Sequence, residues 1–218
     1  MFDGRLRDGA PSPWRGSMVA GLRLPVRLLT IAAVLLLTAC ASAPRRDVAG
    51  WQAPGATPPD SVTAFRLSGR LAVSDGRDGG SAGFVWTQQG DRFEVELRQP
   101  VSQRTWRLHG GPRSAVLEGA EDGPRHGPSA EALLLDVLGW HVPVSALRDW
   151  VRGLPHGQGA DIERDAEGRA VSIVEDGWQV DYREWLEAGA WPTRVVARRA
   201  PYSVRLSVHD WWVADDRR

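Results

Sequence analysis

The chain has 218 residues, 27 basic and 27 acidic side chains, one Cys and 42% apolar residues. That length fits one domain or two small ones, the zero net charge gives no polycationic footprint for nucleic acid, and a single Cys excludes both an internal disulfide framework and a Cys-rich metal site. All basic residues are Arg, and Lys and Asn are absent, a composition read as coding bias.

Arg23 and Arg27 precede an apolar run from Leu28 to Leu37. Ten residues span about 15 Å as a helix, roughly half a bilayer's hydrocarbon core, so the layout is that of a secretory signal. The run ends Leu37-Thr38-Ala39-Cys40, which resembles a bacterial lipobox. Residues 1–39 therefore read as a signal peptide, with Met18 a possible true start, and Cys40 as the site of diacylglyceryl and N-acyl attachment. Several acyl chains at roughly 0.8 kcal/mol per buried methylene hold far more firmly than one. Ala41 and Ser42 follow Cys40, where enteric lipoproteins kept at the inner membrane carry Asp, so the expected destination is the outer membrane. Loss of residues 1–39 removes five Arg and two Asp, leaving a net charge of −3.

Residues 40–60 are rich in Ala, Pro and Gly and read as a tether, with Trp51 docking early on the folded part. From Phe65 to Val73 the odd positions are apolar and the even ones polar. Ala82–Gln88 is a short apolar strand, and Phe93, Val95 and Leu97 alternate with Glu94, Glu96 and Arg98. This period of two predicts antiparallel strands with one wet face. Trp106–Leu108 and Ala115–Leu117 continue the series.

The pattern breaks at Ser129, an N-cap for a helix ending at Gly139, and Ser145 is expected to cap a second helix over Ala146–Arg152. Strands then resume near Ile162, Ala170–Glu175, Trp178–Trp185, Arg194–Arg199 and Ser203–Val213, with a hairpin turn at Asp176-Gly177. The expected architecture is mainly β with a helical lid. It is a half-open antiparallel β-barrel of about ten or eleven strands enclosing a hydrophobic cavity, over residues 61–218.

Catalytic motifs are missing. There is no Gly-x-Ser-x-Gly elbow, phosphate loop or His-Glu-x-x-His. The five His are scattered, with His126 and His156 placed in Gly/Pro loops. Asp161-x-Glu163-x-Asp165 lacks the Gly and Glu of a calcium loop and reads as a polar hairpin, and Glu94 and Glu96 as a wet strand face. No enzyme, metal or cofactor is expected beyond the acyl groups on Cys40. Ten Trp beyond Cys40 either fill the core or line an apolar cavity.

Five stretches in order carry a resemblance: Phe84-Val85-Trp86-Thr87-Gln88-Gln89-Gly90-Asp91-Arg92-Phe93, Gln99-Pro100-Val101-Ser102, Leu147-Arg148-Asp149-Trp150-Val151-Arg152-Gly153-Leu154-Pro155, Gly177-Trp178-Gln179-Val180 and Asp210-Trp211-Trp212-Val213. From about Val62 onward the chain resembles the outer-membrane lipoprotein receptor LolB family. The resemblance implies a protein that accepts triacylated lipoproteins from the periplasmic carrier LolA and inserts them into outer-membrane lipid, acting as a monomer. It also implies an exposed apolar residue for membrane insertion between two early strands. That position is Val101 here, where the family commonly has Leu. The dry strand faces and lid then nominate Leu67, Leu71, Phe84, Trp86, Phe93, Val95, Leu97, Trp150 and Trp178 as acyl-chain cavity residues. Two other readings stay open: an anchored binding module for a diffusible apolar ligand, in the manner of lipocalins, and a lipid-modifying hydrolase, which needs a Ser–His pair in contact.

Overall fold

The computed structural model describes residues 50–100, 104–187 and 189–214. Cys40 and Val101 lie outside them, as does the apolar run before Cys40. Alternation becomes a single antiparallel sheet of twelve strands: β1 Trp51–Gln52, β2 Ala64–Ser74, β3 Gly79–Gln89, β4 Arg92–Arg98, β5 Thr105–Gly111, β6 Ser114–Glu118, β7 Arg125–Gly127, β8 Asp161–Arg164, β9 Ala170–Glu175, β10 Trp178–Trp185, β11 Pro192–Arg199 and β12 Tyr202–Ala214. The order across the sheet is β7-β6-β5-β4-β3-β2-β12-β11-β10-β9-β8, with β1 added against the end of β12. The sheet is open, with β7 and β8 at its edges.

The strand count exceeds the ten or eleven expected because β1 and β7, of two and three residues, are too short to show alternation. For the same reason His126, expected in a loop, is the middle residue of β7. Residues from Trp51 also lie on the fold, where a tether to residue 60 was expected. Trp51 pairs with Ala214 and Gln52 with Val213. The Trp191 indole N–H donates to the Thr57 carbonyl at 2.8 Å, and a 3-10 turn over Pro59–Ser61 buries Pro59.

On the dry face, Phe65, Leu67 and Val73 of β2 meet Phe84 and Trp86 of β3 and Val204, Leu206, Val208, Trp211 and Val213 of β12. The step from 208 to 211 breaks the period of two. A bulge between Val208 and Asp210 restores it by leaving His209 unopposed, and the Asp210 carboxylate accepts the Ser68 hydroxyl at 2.9 Å.

Two helices follow β7: α1, Ala130–Leu138, and α2, Val144–Trp150. Ser129 caps α1 through the Ala132 N–H, and Gly139 ends it at φ 71°. The second helix starts earlier than expected. Pro143 precedes it, and Ser145 sits inside the first turn with its backbone N–H donated to Glu131 of α1 at 2.7 Å, so it does not cap α2. The helix ends at Trp150, and 151–153 form a turn.

Candidate functional site: an apolar chamber and its two unequal helices

A cavity of about 80 Å³ lies under α1. Leu71 and Val73 of β2, Gly80 and Ala82 of β3, Leu97 of β4, Trp106 of β5, Leu117 of β6, and Leu134, Leu138 and Trp140 surround it almost without polar atoms. Trp140 closes one side. Its Cη2 lies where a Cβ on Gly80 would approach to 2.8 Å, so only glycine lets the indole lie on β3. Pockets that bury drug-sized ligands have about 300–1,000 Å³, so this chamber is too small for an acyl chain in the observed conformation.

Of the nine nominated cavity residues, Leu71 and Leu97 line this space. Leu67, Phe84, Trp86, Val95, Trp150 and Trp178 are buried in the surrounding core. Phe93, with Trp86, borders a second recess of about 310 Å³ beside α2, where Val144, Gln88, Asp91, Arg148 and His156 complete the wall. Sequence reasoning missed Trp106, Leu117, Leu134, Leu138 and Trp140. The alternation of β5 and β6 held the signal for Trp106 and Leu117, and the i, i+4 pair Leu134/Leu138 held it for α1.

The two helices are fixed in different ways. Helix α2 is bolted by a buried polar hub. Asp149, 7% exposed, accepts from Arg152 Nη2 at 2.5 Å, pairs with His156 Nδ1 at 2.7 Å and meets Arg148 at 3.3 Å. Arg152 also donates to the carbonyls of Pro59 (3.1 Å), Val62 (2.7 Å) and Arg148 (3.2 Å). Arg148 reaches Asp91 at 3.1 Å. Glu175, also 7% exposed, accepts from the Trp150 indole N–H and the backbone N–H groups of His156 (2.8 Å) and Gly157 (3.1 Å). The Tyr182 hydroxyl donates to the Trp150 carbonyl at 2.8 Å, and burial, with Glu175 nearby, pushes its pKa far up so that it stays a donor. The stretch Leu147–Pro155 is therefore a structural clamp. His156, in the loop that follows, joins it through Asp149 and Glu175.

Helix α1 has fewer polar ties. Leu133 and Leu134 bury against the sheet, and Leu135 is exposed. Its polar links are Glu131 with Ser145 and an exposed Arg125–Asp136 pair at 3.8 Å, while the following linker rests His141 on the Tyr202 ring at 4.7 Å. Burial pushes the Glu131 carboxyl up, but hydrogen bonds, chiefly from Ser145, outweigh it and set the pKa below its usual range. A depressed pKa makes this tie fully present above the ordinary Glu range, and lost only as pH falls below it.

Asp165 accepts the backbone N–H groups of Glu167 and Arg169 and the Arg169 guanidinium, as a polar turn does. Among the described residues no group of three His, Cys, Asp or Glu side chains is placed to hold a metal ion.

Comparison with known proteins gives concordant matches. The profile of the family described as "Outer membrane lipoprotein LolB" matches residues 63–211. The outer-membrane lipoprotein LolB of Xanthomonas axonopodis pv. citri (strain 306) is 37% identical over 217 residues, covering 87% of this chain and 98% of that protein. The protein of the same name from Xanthomonas campestris pv. campestris (strain B100) is 40% identical over 156 residues, covering 68% of this chain and 72% of its own length. The crystal structure of the LolA superfamily protein NE2245 from Nitrosomonas europaea superposes with a TM-score of 0.44 at 10% identity, covering 74% of this chain and 90% of that one. From the profile match and the full-length relative, the chain belongs to the outer-membrane lipoprotein LolB family.

Proposed function

We propose that the protein receives acylated lipoproteins from the soluble periplasmic carrier LolA and releases them into outer-membrane lipid, tethered there by acyl chains on Cys40. The observation that carries this reading is the dry chamber under a helix that has few polar ties. A triacylated protein exposes dozens of methylenes, each favouring an apolar site by about 0.8 kcal/mol. A space of about 80 Å³ admits them only if α1 and Trp140 swing off the sheet while α2 stays clamped. The acyl chains then take the contacts that α1 gives up. Capture is thus an exchange of one greasy surface for another, and a bilayer completes the downhill sequence.

The test is reconstituted transfer from cargo-loaded carrier to the protein, and from the protein to liposomes. Ala82→Phe places a ring in the chamber. It should cost about 1–3 kcal/mol of stability, read by urea unfolding, and sharply reduce cargo acceptance. Normal acceptance would mean the chamber is not the cargo site. Val101→Glu should spare acceptance and impair delivery to liposomes, since a carboxylate resists insertion into hydrocarbon. Equal delivery by that variant and the parent would remove Val101 from the insertion step.

A further inference from the structure

The wet face of the sheet divides its charges unevenly. On β5, Arg107 is surrounded by Glu94, Glu96 and Glu118, at 3.8, 3.2 and 3.7 Å. On the other flank, Arg194 meets Glu184 at 3.4 Å and Arg198 meets Asp181 at 2.5 Å. Between these flanks lie Arg66 and Arg70 of β2, Arg98 of β4 and Arg205 of β12. Among the described residues none of these four has a carboxylate within ion-pair distance. The nearby Asp210 carboxylate accepts the Ser68 hydroxyl and keeps its charge, but forms no ion pair with any of the four.

Register brings the four together. Arg70 and Arg98 both face Gly83 of β3, one from each side. Two strand spacings put them about 10 Å apart over a floor that has no side chain. A groove of about 450 Å³ opens there, with Ser68, Val85, Glu96, Arg98 and His209 along it. Arg205, opposite Ala72, stands diagonal to Arg70, about 7–8 Å away. Like charges this close repel within a screening length of about 8 Å, and Glu96 and Asp210 on the same face offset them only in part, forming an ion pair with none of the four. An anionic surface would relieve the rest.

At the lower corner of the same stripe, Arg66 sits opposite Trp212, and Trp51 lies on the same face as Trp212 in the adjoining strand. Both indoles are half-buried, and neither ring N–H has an acceptor among the described residues. Half-buried indoles with free N–H groups beside guanidinium groups suit a membrane interface. The chain enters the fold at this corner, eleven residues after Cys40, a reach of at most about 40 Å.

We propose that the wet face of β12, β2, β3 and β4 rests on an anionic phospholipid surface, with Arg66, Arg70, Arg98 and Arg205 against phosphates and Trp51 and Trp212 at the headgroup level. The proposal rests on the reading that Cys40 anchors the chain, and it adds an orientation: the sheet lies with its wet face toward lipid and the face that carries the chamber away from it.

The test uses the full acylated protein in liposomes carrying brominated acyl chains, with and without phosphatidylglycerol, and flotation to report anchoring. Bromolipid quenching of tryptophan should require phosphatidylglycerol, fall with salt, and drop by at least half in Trp51→Phe/Trp212→Phe. Arg70→Gln/Arg98→Gln/Arg205→Gln should mimic removal of phosphatidylglycerol. Quenching in floated protein that ignores lipid charge, the three arginines and the two indoles would overturn the proposal. So would arginine variants that keep full quenching but lose uptake from a soluble carrier, since the stripe would then serve a protein. Failure to float would refute anchoring alone. The protein added to preformed phosphatidylglycerol vesicles then decides the stripe: binding about fivefold weaker per arginine removed supports it, and unchanged binding overturns it.

Discussion

Gly69→Ala should cost about 4 kcal/mol or prevent folding, a loss at the extreme end for one methyl group. A Cβ at this position would lie 2.0 Å from the Ser207 carbonyl oxygen and 3.0 Å from Val208 Cα. Both are backbone atoms of β12, so no rotamer change relieves the clash. The close approach comes from the bulge at His209, which drives β12 against β2 where Gly69 faces Val208. Separating the strands would break the seam at the middle of the sheet, between β2 and β12. Gly83→Ala is the control, because its Cβ would meet nothing closer than 3.8 Å and should change stability by less than about 1 kcal/mol. Urea midpoints of the two variants should differ widely. Equal midpoints would show that the seam is looser than drawn here.

Asp149→Ala should destabilise by about 3–5 kcal/mol, the usual cost of leaving a buried cation without its counter-ion. Arg152 has a side chain only 10% exposed, and three backbone carbonyls hold its guanidinium in place, so it cannot turn to solvent without losing them. Asp149→Ala also strands His156, which loses the partner of its Nδ1. The double variant Asp149→Ala/Arg152→Leu should recover only part of the loss, because it removes the stranded charge but leaves the carbonyls of Pro59, Val62 and Arg148 without their donor. A single variant as stable as the parent would mean the hub is decorative and α2 is held by packing alone.

The strand pattern was open to reading because each apolar residue of β2 and β4 reports its own face. Phe65, Leu67 and Val73 needed no knowledge of their partners. The bulge was hidden, since Trp211-Trp212-Val213 reads as a plain apolar run until β2 is laid beside it. Ser145 misled for a related reason: as a good capping residue it points to a helix start, yet Glu131 of another helix takes its N–H. The stretch Leu147–Pro155 stood out as a family pattern, but its role lay in Pro59, Val62, Glu175 and Tyr182, all twenty or more residues away. The same limit applies to the chamber. A list of dry-face residues cannot separate Leu71, which borders the void, from Leu67, which does not.

The short pairing of β1 with β12 has a mechanical consequence. Any tension carried by the chain before Trp51 reaches the body at this two-residue clip, which can peel one pair at a time and spare the strands of the barrel wall. Behind it stand the Thr57–Trp191 hydrogen bond and then the grip of Arg152 on Pro59 and Val62. Three fasteners thus stand in series between leash and body, and the clamp that fixes α2 is the last to feel a pull.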